Sequence, residues 1–297
     1  MSEHSTFRTG GPADLWIRPE GDTFSEYSGA LIQAARNENI PAFVLGGGAN
    51  IVVADEGLRG LVLDTGGWAG PEASVIIARD VPGNAVFFRS GMRVEDAVEY
   101  AASRGLSGLE FLAGMPGSIG GALWMNARCY GKSVSDVLIG AEILNLSGEK
   151  PLRQFVPYRE TDYSYKKSSF QTMDALVLGG RFAMTERPEA EIRREMEEHR
   201  RDREKKGHYR YPSAGSVFKN NREFGAPTGK IIDDLGLNGL TLGDAQVAPW
   251  HGNIIINRGN ARAADIKALT ELVKEKVRAA RGLELECEIL FVGFCSP

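Results

Sequence analysis

The sequence predicts an α+β protein. Three observations carry the prediction: apolar strand-type runs follow one another, few clean strand–helix–strand units separate them, and the chain has 297 residues, room for two domains or one large one. Hydrophobic residues make up 42% and charged residues 25%, ordinary for a chain with a real core.

Leu31, Ile32 and Ala35 form a short amphipathic helical stretch that stops before Pro41 and leads into the apolar run Ala42–Leu45 and Gly46–Gly48. Ile51–Ala54 and Leu61–Leu63 are further β-type runs, followed by the turn-rich Asp64–Pro71, where small lobes meet. Ser74–Ala78 and Ala85–Arg89 are strand candidates. Val94, Ala97, Val98 and Ala101 share one helical face, and Gly105 is placed to end that helix. Six of the seventeen residues from Gly105 to Gly121 are glycine, which predicts a long loop. Val137–Leu146 and Ala175–Gly179 read as buried strands and Thr185–Pro188 as a linker. Glu189–Lys206 carries seven acidic and seven basic residues, a solvated connecting helix. Beyond Tyr211, Asn253–Asn257 reads as a strand, Ile266, Leu269, Val273 and Val277 as a helical stripe, and Leu285–Val292 as a last strand. The predicted division is 1–185 (lobes about 1–67 and 68–185), a linker helix at 186–210, and 211–297.

Charge and motifs exclude several functions. The formal charge is −4, the charges of the 189–206 helix cancel, and no basic patch interleaves with aromatics, so no nucleic-acid partner is expected. No apolar run approaches the roughly 18–20 residues of a membrane helix. Met1–Asp14 lacks the apolar core of a signal peptide, which points to the cytoplasm. Cys129, Cys287 and Cys295 are far apart, and the four histidines show no metal-ligand spacing.

Glycine is the anomaly, with 36 residues where an average chain would have about 7%. Gly46-Gly47-Gly48-Ala49-Asn50-Ile51 follows a strand and lets backbone N–H groups approach an anion; a pyrophosphate fits, and a structural tight turn fits as well. Pro116-Gly117-Ser118-Ile119-Gly120-Gly121, with Asn126 shortly after, gives a second shaped backbone surface, or a crossing of two packed elements. Two such loops about seventy residues apart favour a cofactor.

In the second half, Ala214-Gly215-Ser216-Val217-Phe218-Lys219-Asn220 is the densest polar motif. Ser216 lies outside a G-x-S-x-G elbow, so an acyl-transfer nucleophile is not expected; its hydroxyl reads as a proton donor or as the cap of a surface turn. Lys219 and Asn220 suit an anionic or polar ligand. Glu286 and Glu288 sit at i and i+2, hence on one face of a strand, which either is exposed or turns an acid inward beside Ile289 and Phe291, where it would be desolvated. Tyr165-Lys166-Lys167-Ser168 places a cation in a site or decorates an edge strand.

These motifs, together with Gly229-Lys230-Ile231-Ile232-Asp233, occur in the order found in the UDP-N-acetylenolpyruvoylglucosamine reductase family, and the chain resembles its shorter type from about Thr6 to Gly293. The resemblance implies an FAD-binding module of the vanillyl-alcohol-oxidase-like (PCMH) type, made of two α+β lobes, then an α+β substrate-binding domain. It implies NADPH as reductant and a UDP-sugar enolpyruvyl ether as substrate, with UDP-N-acetylmuramate as the product for peptidoglycan. It also implies a monomer. By this resemblance Gly46, Gly47, Gly48, Ala49, Asn50 and Ile51 hold the FAD pyrophosphate, and Pro116, Gly117, Ser118, Gly120, Gly121 and Asn126 line the flavin. Ser216 is the proton donor and Glu288 the acid. Tyr165, Lys219, Asn220 and His251 face the substrate.

Two positions depart from the family pattern. Lys166 stands where the family has a catalytic arginine, keeping the charge without the bidentate fork. Asn126-Ala127-Arg128-Cys129-Tyr130-Gly131 stands for Asn-Ala-Gly-Ala-Tyr-Gly, so that Arg128 either compensates for Lys166 or points to solvent. Other readings of the same residues are an FAD-linked oxidoreductase for another small substrate, or a flavin-binding protein without catalysis.

Overall fold

A computed structural model describes residues 1–69 and 84–294. The chain forms β1 (Ala13–Ile17), α1 (Phe24–Asn37), β2 (Ala42–Leu45), β3 (Ile51–Val53), β4 (Leu58–Asp64) and β5 (Asn84–Arg89). There follow α2 (Val94–Ala102), β6 (Leu106–Ser107), α3 (Ile119–Trp124), β7 (Arg128–Cys129), β8 (Lys132–Ser133), β9 (Leu138–Asn145) and β10 (Leu152–Pro157). The rest is β11 (Ala175–Glu186), α4 (Glu189–Lys205), α5 (Thr228–Asp234), β12 (Thr241–Leu242), β13 (Ala245–Val247), β14 (Ile255–Asn257), α6 (Ala263–Arg281) and β15 (Leu290–Val292). The mixture is α+β, as predicted. Among the described residues no helix is long and apolar enough to cross a membrane.

Two compact units emerge, and they interleave along the chain. The larger comprises residues 15–47 and 60–201; the smaller comprises 1–14, 48–59 and 202–297. The division expected from sequence runs by chain position, whereas compactness groups two N-terminal segments with the C-terminal third. A parallel pair is one cause: Leu290, Phe291 and Val292 of β15 lie beside Ile51, Val52 and Val53 of β3.

In the larger unit a sheet of order β10-β9-β11-β5 is antiparallel throughout, and the tail of β11 also pairs β6. A second sheet has order β1-β4-β2, with β2 and β4 parallel. The apolar stripe of α2 (Val94, Ala97, Val98, Ala101) packs with Phe88, Phe111, Leu123 and Phe182 into one core. In the smaller unit Ile266, Leu269, Val273 and Val277 of α6 are fully buried with Phe7, Val52, Phe218 and Ile232. Each such side chain contributes roughly 1.5–3 kcal/mol of burial.

Several local expectations change. The segment rich in glycine is not all loop: Ser118 accepts a hydrogen bond from the Gly121 N–H and so caps α3, which contains Gly120 and Gly121. Helix α2 ends at Ala102, and Gly105 takes its left-handed φ of 66° in the turn that follows. Thr185 and Glu186 belong to β11, where they pair with Ser107 and Leu106, so the expected linker there is strand. Only Ile255–Asn257 and Leu290–Val292 of the two expected C-terminal strands are regular. α4 is not merely solvated, because Ile192 and Met196 enter the core. Ser74–Ala78, Gly70–Pro71 and Cys295 lie outside the described residues.

Candidate active site

The glycine loop leaves β2 at Gly46. A Cβ on Gly46 would come within 2.6 Å of the Ser118 Oγ, and one on Gly47 within 2.5 Å of the Gly117 Cα. Both distances are shorter than real Cβ contacts allow, so these glycines let the two glycine loops cross in contact. The Ser118 hydroxyl, 4% exposed, accepts from the Gly47 N–H at 3.2 Å and from the Gly121 N–H at 3.3 Å. Its lone pairs are thereby committed, and what remains is a proton to give to an acceptor.

The second loop is pinned by backbone. The Val94 N–H donates to the Gly117 carbonyl, Ile119 donates to Met92, and Gly120 donates to Ser90. By contrast, the N–H groups of Gly46, Gly48, Ala49 and Asn50 donate to nothing among the described residues. Unspent backbone donors on a glycine turn are what a diphosphate requires. The N–H groups of the first loop therefore fit the diphosphate of FAD.

Asn126 is used internally. It is 3% exposed, and its Oδ1 accepts from the Ser135 N–H while its Nδ2 donates to the Ser164 carbonyl. It thus ties the segment after α3 to the turn that carries Tyr165 and Lys166. That turn is closed by reciprocal bonds between Ser164 and Lys167, and Lys166 sits at φ 60°. A lysine held in the left-handed region is the kind of local strain that clusters at functional positions. Its Nζ stands 6.0 Å from the Tyr165 ring centre. Arg128 is exposed, with a long bond of 3.4 Å to the Gly131 carbonyl.

In the smaller unit, residues 216–219 run between two other segments. On one side Ser216 bridges Ile254, and the Val217 N–H donates to the Asn253 carbonyl. On the other, Phe218 bridges Cys287 and the Lys219 N–H donates to the Glu286 carbonyl. The Glu288 and Ile289 N–H groups both converge on the Val217 carbonyl, at 2.7 and 3.5 Å. Two residues opposite one make a β-bulge, which re-aims side chains beside active sites. The simple strand expected for Leu285–Val292 is broken here, so Glu286 and Glu288 do not share one regular face. Glu286 is exposed and ion-paired with Lys219, whereas Glu288 is half-buried.

Two residues whose roles the sequence did not disclose fix this node. The Asn253 side chain, 2% exposed, accepts from the Phe218 N–H and donates to the Phe218 carbonyl, each at 2.8 Å. Asn50 donates from Nδ2 to the Glu288 carbonyl at 3.0 Å and accepts from the Leu290 N–H at 2.9 Å. The last part of the glycine loop therefore holds the backbone of Glu288. An asparagine beside a glycine turn was the available signal for Asn50, while nothing in the sequence marked Asn253.

Asn220 accepts from the Thr228 N–H, where α5 begins. The Nδ1 of His251 accepts from the Asn253 N–H at 3.1 Å, which places the proton of the neutral ring on Nε2. Burial holds this histidine below its ordinary pKa despite nearby Asp233. His208, whose ring centre is 6.5 Å away, is held by burial and by Arg203 at about 4.

Residues 28–150 match the family model of an FAD binding domain, and residues 207–292 that of the C-terminal domain of UDP-N-acetylenolpyruvoylglucosamine reductase. The sequence is 41% identical over 300 residues to the UDP-N-acetylenolpyruvoylglucosamine reductase of Treponema denticola, covering 97% of this chain and 90% of that one. The chain belongs to the UDP-N-acetylenolpyruvoylglucosamine reductase family. It is an FAD-dependent oxidoreductase. The reductase of Agathobacter rectalis is 40% identical over 99% of this chain and 92% of its own. The crystal structure of the reductase from Thermus caldophilus superposes with a TM-score of 0.78 at 32% identity, covering 98% of this chain and 96% of that one. Both glycine loops lie within the FAD binding match, and the Ser216–Glu288 node lies within the C-terminal match.

Proposed function

We propose that this reductase uses NADPH to reduce the enolpyruvyl ether of UDP-N-acetylglucosamine to UDP-N-acetylmuramate, a step of peptidoglycan synthesis. The two glycine loops would hold FAD, whose NADPH-reduced form would supply the hydride taken up by the vinyl carbon β to the substrate carboxylate. Negative charge then moves into that carboxylate, as in an enediolate, and the protein must stabilise it. Ser216 delivers the proton to the α-carbon, and Glu288 acts as the acid beside the developing charge. Lys166 supplies the cation at the family's arginine position, and Arg128, which is exposed, adds a guanidinium to the same carboxylate. Tyr165, Lys219, Asn220 and His251 hold the substrate. In Lys219 and Asn220 that role is shared with the Glu286 pair and the start of α5. The nucleotide part contributes binding energy remote from the reacting carbon.

The observation that supports this reading best is the bulge, which sets the Glu288 backbone against the residue that follows Ser216. Along the chain, 1–185 serves the flavin with lobes about 1–67 and 68–185, 186–210 connects, and 211–297 serves the substrate. The enzyme works as a cytoplasmic monomer. The test is NADPH absorbance, followed with and without UDP-N-acetylglucosamine enolpyruvate, on protein whose visible spectrum shows flavin. Oxidation that depends on that substrate is expected. Flavin with no substrate-dependent oxidation would overturn the assignment.

A further inference from the structure

The glycine loop at 114–121 is anchored from an unexpected direction. Glu95, in the first turn of α2, accepts the Gly114 N–H on Oε2 at 2.6 Å. Its Oε1 accepts from the Arg200 Nε at 2.8 Å, and the Arg200 Nη2 closes the fork. The same guanidinium reaches Glu99, which also takes a bond from Arg193 at 2.9 Å. Burial alone would raise the Glu99 carboxyl, but hydrogen bonds from Arg200 and Arg193 outweigh it and leave the group below its ordinary range. All four charged residues belong to α2 or α4 of the larger unit.

We propose that Glu95 and Arg200 are positioning residues for the flavin, holding the loop that begins at Gly114 in the shape that receives FAD. The inference rests on the reading that residues 114–121 line the cofactor. Gly114 turns with φ 72°, and side-chain fixation at this end comes from Glu95, whereas Gly117, Ile119 and Gly120 are fixed farther on by backbone. A carboxylate that accepts an N–H from a loop fixes it only if its own rotamer is fixed. Arg200 does this by occupying the opposite oxygen with two N–H groups, and charge-assisted bonds of this kind are the strong ones. The helix read from sequence as a solvated connector therefore reaches the cofactor loop through one glutamate.

The test measures FAD release from diluted holoprotein by flavin fluorescence, together with the melting temperature of each variant. Glu95→Ala is expected to raise the FAD dissociation constant about tenfold, the order for a lost charge-assisted bond. Glu95→Gln keeps an acceptor for Gly114 but turns its amide N–H groups toward Arg200, so it should restore only part of the affinity. Arg153→Ala breaks an ion pair with Glu142 in the same unit and serves as the structural control. If Ser118→Ala weakens FAD while Glu95→Ala weakens it no more than Arg153→Ala does, the positioning role is overturned. If Ser118→Ala and Glu95→Ala both leave FAD affinity unchanged, the reading of the loop fails, and the inference with it.

Discussion

Asn253→Ala tests how the node around Ser216 and Glu288 is held. The Asn253 amide makes two bonds of 2.8 Å to the main chain of Phe218, a residue 1% exposed. Alanine would strand one N–H and one carbonyl where water does not reach. At ~1–3 kcal/mol for each unsatisfied group, the pair costs about 2–6 kcal/mol. For a domain of this size that is a fall of roughly 5–15 °C in Tm. Asn253→Asp has nearly the same volume and keeps the acceptor, but turns a carboxylate oxygen toward the Phe218 carbonyl, so it should be at least as destabilising. Thermal and urea unfolding followed by circular dichroism would measure both, and kcat below the transition should fall because Val217 carries the Glu288 register. If both variants melted within about 2 °C of the parent, the bonds would not be holding the node. A costly alanine beside a neutral aspartate would mean that volume, not the paired bonds, is what matters.

Ser216→Ala should slow substrate turnover about 10²–10⁴-fold while NADPH reduces the flavin at the parental rate; stopped-flow absorbance separates the two half-reactions, and equal loss in both would contradict proton donation. Arg128→Ala should raise KM for the enolpyruvyl substrate and Lys166→Arg should offset that rise; unchanged kcat and KM in Arg128→Ala would remove the arginine from the site. His208, held at about 4 against an ordinary 6.5, binds fewer protons folded than unfolded between those values. Its contribution is therefore complete above about pH 6.5 and is lost as pH falls toward 4. Urea midpoints measured from pH 7 to 4.5 should fall less steeply in His208→Gln than in the parent, and parallel slopes would refute the assignment.

Helices carried by periodicity were the most legible. The stripes of α2 and α6 lie where Val94–Ala101 and Ile266–Val277 place them. Elements decided by capping and register were not: six glycines read as loop, yet the Ser118 hydroxyl suffices to start α3. Likewise Leu285–Val292 alternates as a strand would, with apolar Leu285, Ile289, Phe291 and Val292, but the convergence of two N–H groups on the Val217 carbonyl breaks it. A bulge depends on how two segments align, which residue type does not encode. The candidate residues Ser216 and Glu288 could be named from motif order, and their common backbone node could not. Asn253 works through two bonds to a residue 35 positions away, and such pairings leave no local pattern. The same holds for Glu95 and Arg200, which read simply as charges on two helices.

The parallel pairing of β3 with β15 joins residues 239 positions apart in the chain. While the chain is emerging, residues 51–53 have no partner, and the Asn50 amide has no Glu288 carbonyl to hold, until position 292 has left the ribosome. Closing the smaller unit therefore carries the loop-closure entropy of the chain between these two strands. Cutting the chain before Leu290 would remove one strand of three residues, yet it would also leave the Asn50 carbonyl without the Leu290 N–H and Val52 without its strand partner. A substitution among residues 290–292 would thus be felt at a loop 239 positions earlier.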